Sequence, residues 1–418
     1  VASLDSGAAG LVLAAETAIG KYPIKCVRTM KKIITEHFKY NHVKLNEKIS
    51  DDKMHYLTDK STDDIIPPHG GVLCKSKTID YKEFQDDLQS LKIDSNLISD
   101  IFQISIGTYS PIRKFMNQNE LYSVLDNYSI NGTPWTMPII FQVSKSVKDK
   151  IIHEKKVLLV DKKNSNPIGI INIDVIEPLN NMKLISKKWF GTDNEEHPGV
   201  MRFLQNGAYI ISGEVTPFNN LDVSGYYSLS PQQSRNYFSL NHWKNIIGFH
   251  TRNLCHSGHL FIQQEALKKT NADAIFISPV VGSKKSGDFK PQIIIDSYEA
   301  LIKANVFNPF GALVGSFDTY SRYSGPREAV FTALCRKNFG CNYFLIGRDH
   351  TGIGKYYKPK DSQKIFSEID TGMNIIKFDK VSYCAKRKII TDNFNSKKYE
   401  HSELELSGSL IRNLIIND

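Results

Sequence analysis

Residues 248–259, G-F-H-T-R-N-L-C-H-S-G-H, set an arginine, an asparagine and two histidines three residues apart between two different apolar patterns. These residue types suit an oxyanion. A guanidinium fork and an amide donate hydrogen bonds, imidazoles add further donors, and Gly258 between His256 and His259 leaves room for a phosphate chain. A second run at 347–354, G-R-D-H-T-G-I-G, delivers Arg348 and His350 from the end of another apolar stretch. Two such turns facing each other could grip one polyanion from both sides, with glycines letting the backbone approach. Each run also has a plainer explanation: a helical histidine pair on the surface, and a tight turn capped by Asp349. Zinc is the other chemical reading of His256 and His259. Residues at i and i+3 supply only two ligands, however, and Cys255 has no partner at metal-site spacing.

Elements of two kinds must position these residues. Trp243, Ile246, Ile247 and Phe249 form a strand-type apolar run, and Leu260, Ile262, Ala266 and Leu267 then recur at roughly helical spacing. A-D-A-I-F-I-S-P, 272–279, reads as a second buried strand. The result is a β-α-β unit, in which an anion sits at the carboxyl end of the first strand against the free N–H groups of the helix start. If the helix begins here, both imidazoles lie on one face of its first turn. Y-F-L-I at 343–346 reads as another strand running into a glycine-rich turn.

H-T-R-N-x-x-H-x-G-H followed by G-R-D-H-T-G-x-G resembles the signature of the ATP sulfurylases, or sulfate adenylyltransferases. The segment S-R-Y-S-G-P-R-E-A-V-F-T-A-L-C-R-K-N-F-G, 321–340, resembles the family's approach to the second motif. So do Pro68-His69-Gly70-Gly71, Ile106 to Pro111, Phe115-Met116, Pro134 to Pro138 and Glu196 to Val200 upstream, and the resemblance covers roughly 66–418. It implies attack of a sulfate oxygen on the α-phosphorus of MgATP, giving adenosine 5′-phosphosulfate and pyrophosphate. Thr251, Arg252, Asn253, His256 and His259 match the catalytic turn. His250, Thr251, Arg252, Asn253, Gly347, Arg348, Asp349, His350, Phe378 and Val381 match ATP-binding positions. His250, Arg252 and Thr351 match sulfate-binding ones. The implied architecture is α/β: a mainly β, PUA-like N-terminal domain, then a Rossmann-like nucleotidyltransferase domain. Mg2+ is expected with ATP, a homo-oligomer is allowed, and no nucleic-acid or membrane partner is expected.

The chain departs from the family pattern in four places. His250 stands at the usual glutamine, where an imidazole can still donate and, if protonated, would attract a dianion. Leu254 replaces a proline, loosening the turn, and Thr351 replaces an alanine. Only Cys384 lies where some members carry a cysteine-rich zinc site, so no structural zinc is expected. An alternative reading is a nucleotide-binding regulatory or scaffold domain impaired by His250. A scaffold would have no need of the matching catalytic turn. A different H-x-G-H nucleotidyltransferase fits the G-R-D-H run less well.

Residues 1–38 resemble the pyruvate kinase segment that ends a late barrel strand in Glu-Thr, here Glu16-Thr17, and starts a helix at Pro23. So short a piece cannot form a barrel of about 250 residues. A remnant of a fused upstream domain is expected, and the tail L-S-G-S-L-I-R-N-L-I, 406–415, suggests a cut C-terminal lobe. Residues 39–65 read as a charged linker, 66–215 as the PUA-like domain with hairpins such as V-L-L-V-D-K-K-N-S-N-P-I-G-I-I-N-I, 216–385 as the catalytic domain and 386–418 as the start of the lobe.

The 418 residues allow two or three domains, and the net charge of +9 suits polyanionic substrates. Basic residues are scattered without a nucleic-acid motif, which favours an ordinary solvated surface. The six cysteines show no disulfide framework, pointing to a reducing, cytoplasmic setting, with an organelle left open because a truncated N-terminus is expected. No apolar run approaches the ~20 residues of a membrane span.

Overall fold

Short runs rich in Ile, Val and Leu pair edge to edge in the first half of the chain, as β-branched residues do on a pleated surface. The computed structural model describes residues 64–84, 87–219, 221, 228–282, 289–348, 353–379, 381–384, 389–391 and 403–405. The pyruvate kinase-like stretch, most of the linker and the 406–415 tail therefore lie outside the described residues. Strands β1 (Ser90–Ile93), a small hairpin of β2 (Ser129–Ile130) and β3 (Thr133–Pro134), then β4 (Phe141–Val143), β5 (Lys156–Asp161), β6 (Pro167–Pro178) and β7 (Tyr209–Pro217) come first. The main sheet runs β1-β5-β6-β7-β4, with β1 parallel to β5 and the other pairs antiparallel. Register slips between Ile173 and Val175, and between Leu159 and Val160, curl it. The hairpin legible in the sequence is β5–β6, where the Asp161 carboxylate accepts the Lys163 N–H at 2.9 Å and Ser165 takes a φ of 59°.

Helices α1 (Ser95–Ser105), α2 (Gln118–Asn127), α3 (Lys145–Ile151), α4 (Met182–Phe190) and α5 (Pro198–Gln205) lie between these strands. Side-chain caps start them: Asp94, Asn117 in a capping box with Glu120, Ser144, Asn181 and His197.

The second half alternates helix and strand: α6 (Pro231–Leu240), β8 (Ile246–Thr251), α7 (Ser257–Thr270), β9 (Ala274–Pro279), α8 (Pro291–Lys303), β10 (Gly311–Val314), α9 (Pro326–Phe339), β11 (Tyr343–Ile346), α10 (Asp361–Lys364) and β12 (Asn374–Lys377). The sheet runs β10-β9-β8-β11-β12 and every pair is parallel. All six residues of β9 are buried, as a strand covered on both faces requires. Strand order reverses between β8 and β11, and an open parallel sheet binds ligands outside such a reversal, at its carboxyl ends. A small antiparallel sheet of β13 (Ser382–Cys384), β14 (Ile389–Thr391) and β15 (Glu403–Glu405) follows. Among the described residues no helix is long and apolar enough to cross a membrane.

Helix α9 joins the two halves and is buried on nearly all sides. Val330, Phe331, Leu334 and Cys335 belong to the core of the first half, while Ala329 and Ala333 pack on Phe344 and Ile346 of β11. The upstream motifs gather round this helix. Asn338 donates to the carbonyls of Thr108 and Ser110 at 2.8 and 2.9 Å and accepts the His69 N–H at 2.8 Å. Thr136 donates to the Arg327 carbonyl at 2.7 Å, and Arg327 in turn donates to Val124 at 3.0 Å and Leu125 at 2.6 Å. Nearby, a fully buried ion pair links Arg322 to Asp100, whose carboxylate also accepts from Tyr109 at 3.1 Å and Tyr320 at 3.0 Å. Ile65, read as the last linker residue, is buried beside Phe238 and Phe339.

His69 makes this junction sensitive to acid. Its Nε2 faces the Pro134 carbonyl at 2.5 Å, and burial pushes its pKa from 6.5 down to about 4. Between those values the unfolded chain binds a proton that the native ring refuses. The stability present above pH 6.5 is therefore lost as pH falls toward 4. A His69→Gln variant keeps a donor without the titration, so its melting temperature should fall less between pH 7 and 5 than that of the natural chain. Equal falls would assign the acid sensitivity elsewhere.

Candidate active site

Strand β8 delivers His250 and Thr251, paired in register with Ser278 and Pro279 of β9. The chain then turns on Thr251, which is buried. Its Oγ1 accepts the Asn253 N–H at 3.1 Å and donates to the Asn253 carbonyl at 3.2 Å. This hydroxyl fixes the turn where a proline is absent. Arg252, at its tip, is exposed, while Leu254 and Cys255 pack against the core beneath.

Helix α7 begins at Ser257, so His256 is its N-cap rather than a member of its first turn. The His256 Nδ1 accepts the His259 N–H at 3.3 Å, and the two rings stack with centroids 3.8 Å apart and planes 24° apart. Because Nδ1 accepts, the proton of a neutral His256 sits on Nε2. That Nε2 has no hydrogen-bond partner among the described residues, and neither have His259 Nδ1, Asn253 Oδ1 and Ser257 Oγ. Burial, and then the neighbouring His259, push the His256 pKa well below 6.5; burial, opposed by the Leu254 backbone, lowers that of His259 to about 4. Both rings are therefore neutral at pH 7 before an anion arrives. Unpaired buried polar atoms are costly; of these, His256 Nε2 and Ser257 Oγ can donate, and they lie beside a helix N-terminus, an arrangement able to receive an oxyanion. Burial also pushes the Cys255 thiol up to about 12, which removes it as a nucleophile at neutral pH.

Strand β11 lies against β8 through Tyr343↔Ile247 and Phe344↔Gly248, so both polar turns leave the sheet side by side at the reversal of strand order. A side chain added at Gly347 would meet no atom of the described residues within 4 Å, so among them the space beside it is open. Arg348 follows, and its carbonyl accepts the Lys360 N–H at 3.0 Å. Asp349, His350 and Thr351 lie outside the described residues. Phe378 is hydrogen-bonded through its N–H to the Ile346 carbonyl at 3.0 Å, but its ring is buried in the core below, with Lys269 Nζ 5.0 Å from its centroid. Val381 packs against the same core. The structure thus brings together His250 to Asn253, His256, His259, Gly347 and Arg348, with Phe378 and Val381 supporting the edge. Among the described residues no group of three or more His, Cys, Asp or Glu side chains is set to hold a metal ion.

One residue at this strand end had no sequence signal. Arg336, in R-K-N of α9, reads as the polar face of a helix, yet it is fully buried and its Nη2 lies 3.1 Å from His250 Nδ1. Gly248 makes room for it: a Cβ there would stand 3.0 Å from Arg336 Cβ.

Comparison with known proteins agrees with this geometry. Residues 225–418 match the ATP-sulfurylase family model and residues 66–220 a PUA-like domain. The sulfate adenylyltransferase of Ignicoccus hospitalis is 33% identical over 360 residues, covering 84% of this chain and 93% of the relative. That of Pyrococcus abyssi is 33% identical over 363 residues, with 84% and 93% covered. A solved structure, the hexameric APS kinase from Thiobacillus denitrificans, superposes with a TM-score of 0.60 at 17% identity over 84% of this chain and 64% of its own, a likeness of fold. Aligned along almost the whole length of its relatives, and with the polar turns of its parallel sheet meeting at one crevice, this chain belongs to the sulfate adenylyltransferase (ATP-sulfurylase) family.

Proposed function

We propose that the chain joins sulfate to the adenylyl group of MgATP. A sulfate oxygen attacks the α-phosphorus, the bond from that phosphorus to the bridging oxygen of the leaving group breaks, and adenosine 5′-phosphosulfate and pyrophosphate result. The observation that carries this reading is the juxtaposition of two polar turns at the strand-order reversal, one of them holding at a helix start two donors, His256 Nε2 and Ser257 Oγ, that have no partner among the described residues.

Two anions must meet in line, so the protein's task is to position them and offset their charge. Arg252 is the sulfate ligand in this reading: exposed at its turn, it offers a planar fork to a tetrahedral oxyanion. His250 and Thr351 complete the sulfate side. His256 and His259 present N–H groups to the phosphates and stabilise the charge that builds on the leaving pyrophosphate. Thr251 holds the turn so that Asn253 can reach a phosphate oxygen, while the open space at Gly347, with Arg348, Asp349 and His350, takes the nucleotide. Mg2+ enters as the counterion of ATP. The chain divides in the same reading into 66–215, the catalytic 216–385 and the lobe beginning at 386.

The test is pyrophosphate release by the purified chain with MgATP, with and without sulfate. Release should require sulfate, and Arg252→Ala should lower kcat/KM for sulfate by about 10²-fold or more. Full activity in that variant would move sulfate away from this turn. No release from the natural chain, with ATP still bound, would favour a nucleotide-binding domain without chemistry.

A further inference from the structure

A guanidinium in the interior of a protein ordinarily meets a carboxylate or several carbonyls, because burying an unpaired charge is expensive. Arg336 meets neither among the described residues. It is fully buried, its Nε and Nη1 have no hydrogen-bond partner, and its Nη2 reaches only His250 Nδ1, at 3.1 Å. The ring of Phe317 covers the pair, 4.4 Å from the guanidinium carbon and 6.2 Å from the imidazole centroid. Its position is also built in, since the absence of a side chain at Gly248 admits its stem. Burial lowers its pKa only to about 10, so it keeps its charge at pH 7.

A guanidinium has donors and no acceptor, so in this contact His250 Nδ1 must be the acceptor. We propose that Arg336 is a positioning residue for the reaction: it holds His250 as the neutral tautomer with the proton on Nε2, and so keeps an N–H available to the sulfate dianion at the end of β8. The guanidinium also opposes a second proton on the ring, because a protonated Nδ1 would lose this bond and face a like charge. Arg336 thus works against the protonated form allowed by the sequence alone. His250 acts as a fixed neutral donor, comparable to a side-chain amide, and Arg336 adds an uncompensated positive charge behind it. This assignment rests on the reading of the strand end as the sulfate site.

Nitrogen-15 NMR of the intact chain tests the tautomer directly, with the His250 ring signals assigned by their loss in His250→Gln. A neutral ring protonated on Nε2 at pH 7 is expected. A ring protonated on Nδ1, or on both nitrogens, overturns the proposal whether or not the chain turns over substrate or any Arg336 variant folds. The kinetic arm separates positioning from general loss of structure. Arg336→Met should raise the KM for sulfate about ten-fold while leaving the KM for ATP nearly unchanged, with partial recovery in Arg336→Lys. In a His250→Ala background the same Arg336→Met change should have little further effect, since the two residues act as one unit. An undiminished effect there would mean that Arg336 acts without His250. Absence of pyrophosphate release from the natural chain would count against the proposed activity alone, because the tautomer remains measurable.

Discussion

His259→Ala is expected to release pyrophosphate about 10²- to 10³-fold more slowly than the natural chain, with the loss mainly in kcat. The reason lies in how the ring is held. It stacks on His256 at 3.8 Å, and its Nδ1 has no partner among the described residues. Burial keeps it neutral down to about pH 4. In the proposed reaction the ring would turn an N–H to the phosphates, and a hydrogen bond of that kind gains most when negative charge grows beside it in the transition state, in a site that water has left. His256 requires a different substitution, because its Nδ1 also caps α7 by accepting the His259 N–H. His256→Asn retains a capping acceptor but removes the imidazole Nε2. It should lose a similar amount of activity while melting within a few degrees of the natural chain, whereas His256→Ala should lose both. Near-normal turnover in His259→Ala and His256→Asn, measured with saturating ATP and sulfate, would remove the histidine pair from the chemistry.

The largest effect on stability is expected at a distance from that crevice. Asp100→Ala should cost about 3–5 kcal/mol, the usual loss when one partner of a buried ion pair is deleted. Arg322 would keep its charge in the interior without its ion-pair partner, with only the Glu328 carboxylate, which accepts the Arg322 backbone N–H at 2.9 Å, left nearby. The hydroxyls of Tyr109 and Tyr320, which donate to Asp100 at 3.1 and 3.0 Å, would lose their acceptor together. Asp100 lies on α1 and Arg322 in the segment leading to α9, so the damage falls on the junction between the two halves. Replacing both charges, Asp100→Leu with Arg322→Met, should recover most of the loss, since apolar residues of similar volume leave nothing unpaired. Denaturant titration of the three variants decides it. A loss under about 1 kcal/mol for Asp100→Ala would show that the pair is reached by water and contributes little.

The sequence by itself determined the parts of this protein that depend on local pattern. The apolar runs at 246–249 and 272–279 and the helical spacing after Gly258 are properties of neighbouring residues, and they specify the β8-α7-β9 unit and the polar turn between β8 and α7. The β11 strand at 343–346 and the β5–β6 hairpin were legible for the same reason. The short helices of the first half were not, because a few turns of mixed apolar residues set among strands of similar composition do not separate helix from strand by pattern alone. Tertiary structure alone decided what lies between distant segments. It set β11 beside β8, making one crevice of two turns roughly a hundred residues apart. It also showed that the upstream motifs around His69, Thr108 to Ser110 and Thr136 grip α9. And it placed Arg336, a charged helical residue indistinguishable in sequence from a solvated one, fully buried against His250. A charge is read as exposed until the fold shows what surrounds it, because burial belongs to the packing of remote elements and leaves no periodic trace in the chain.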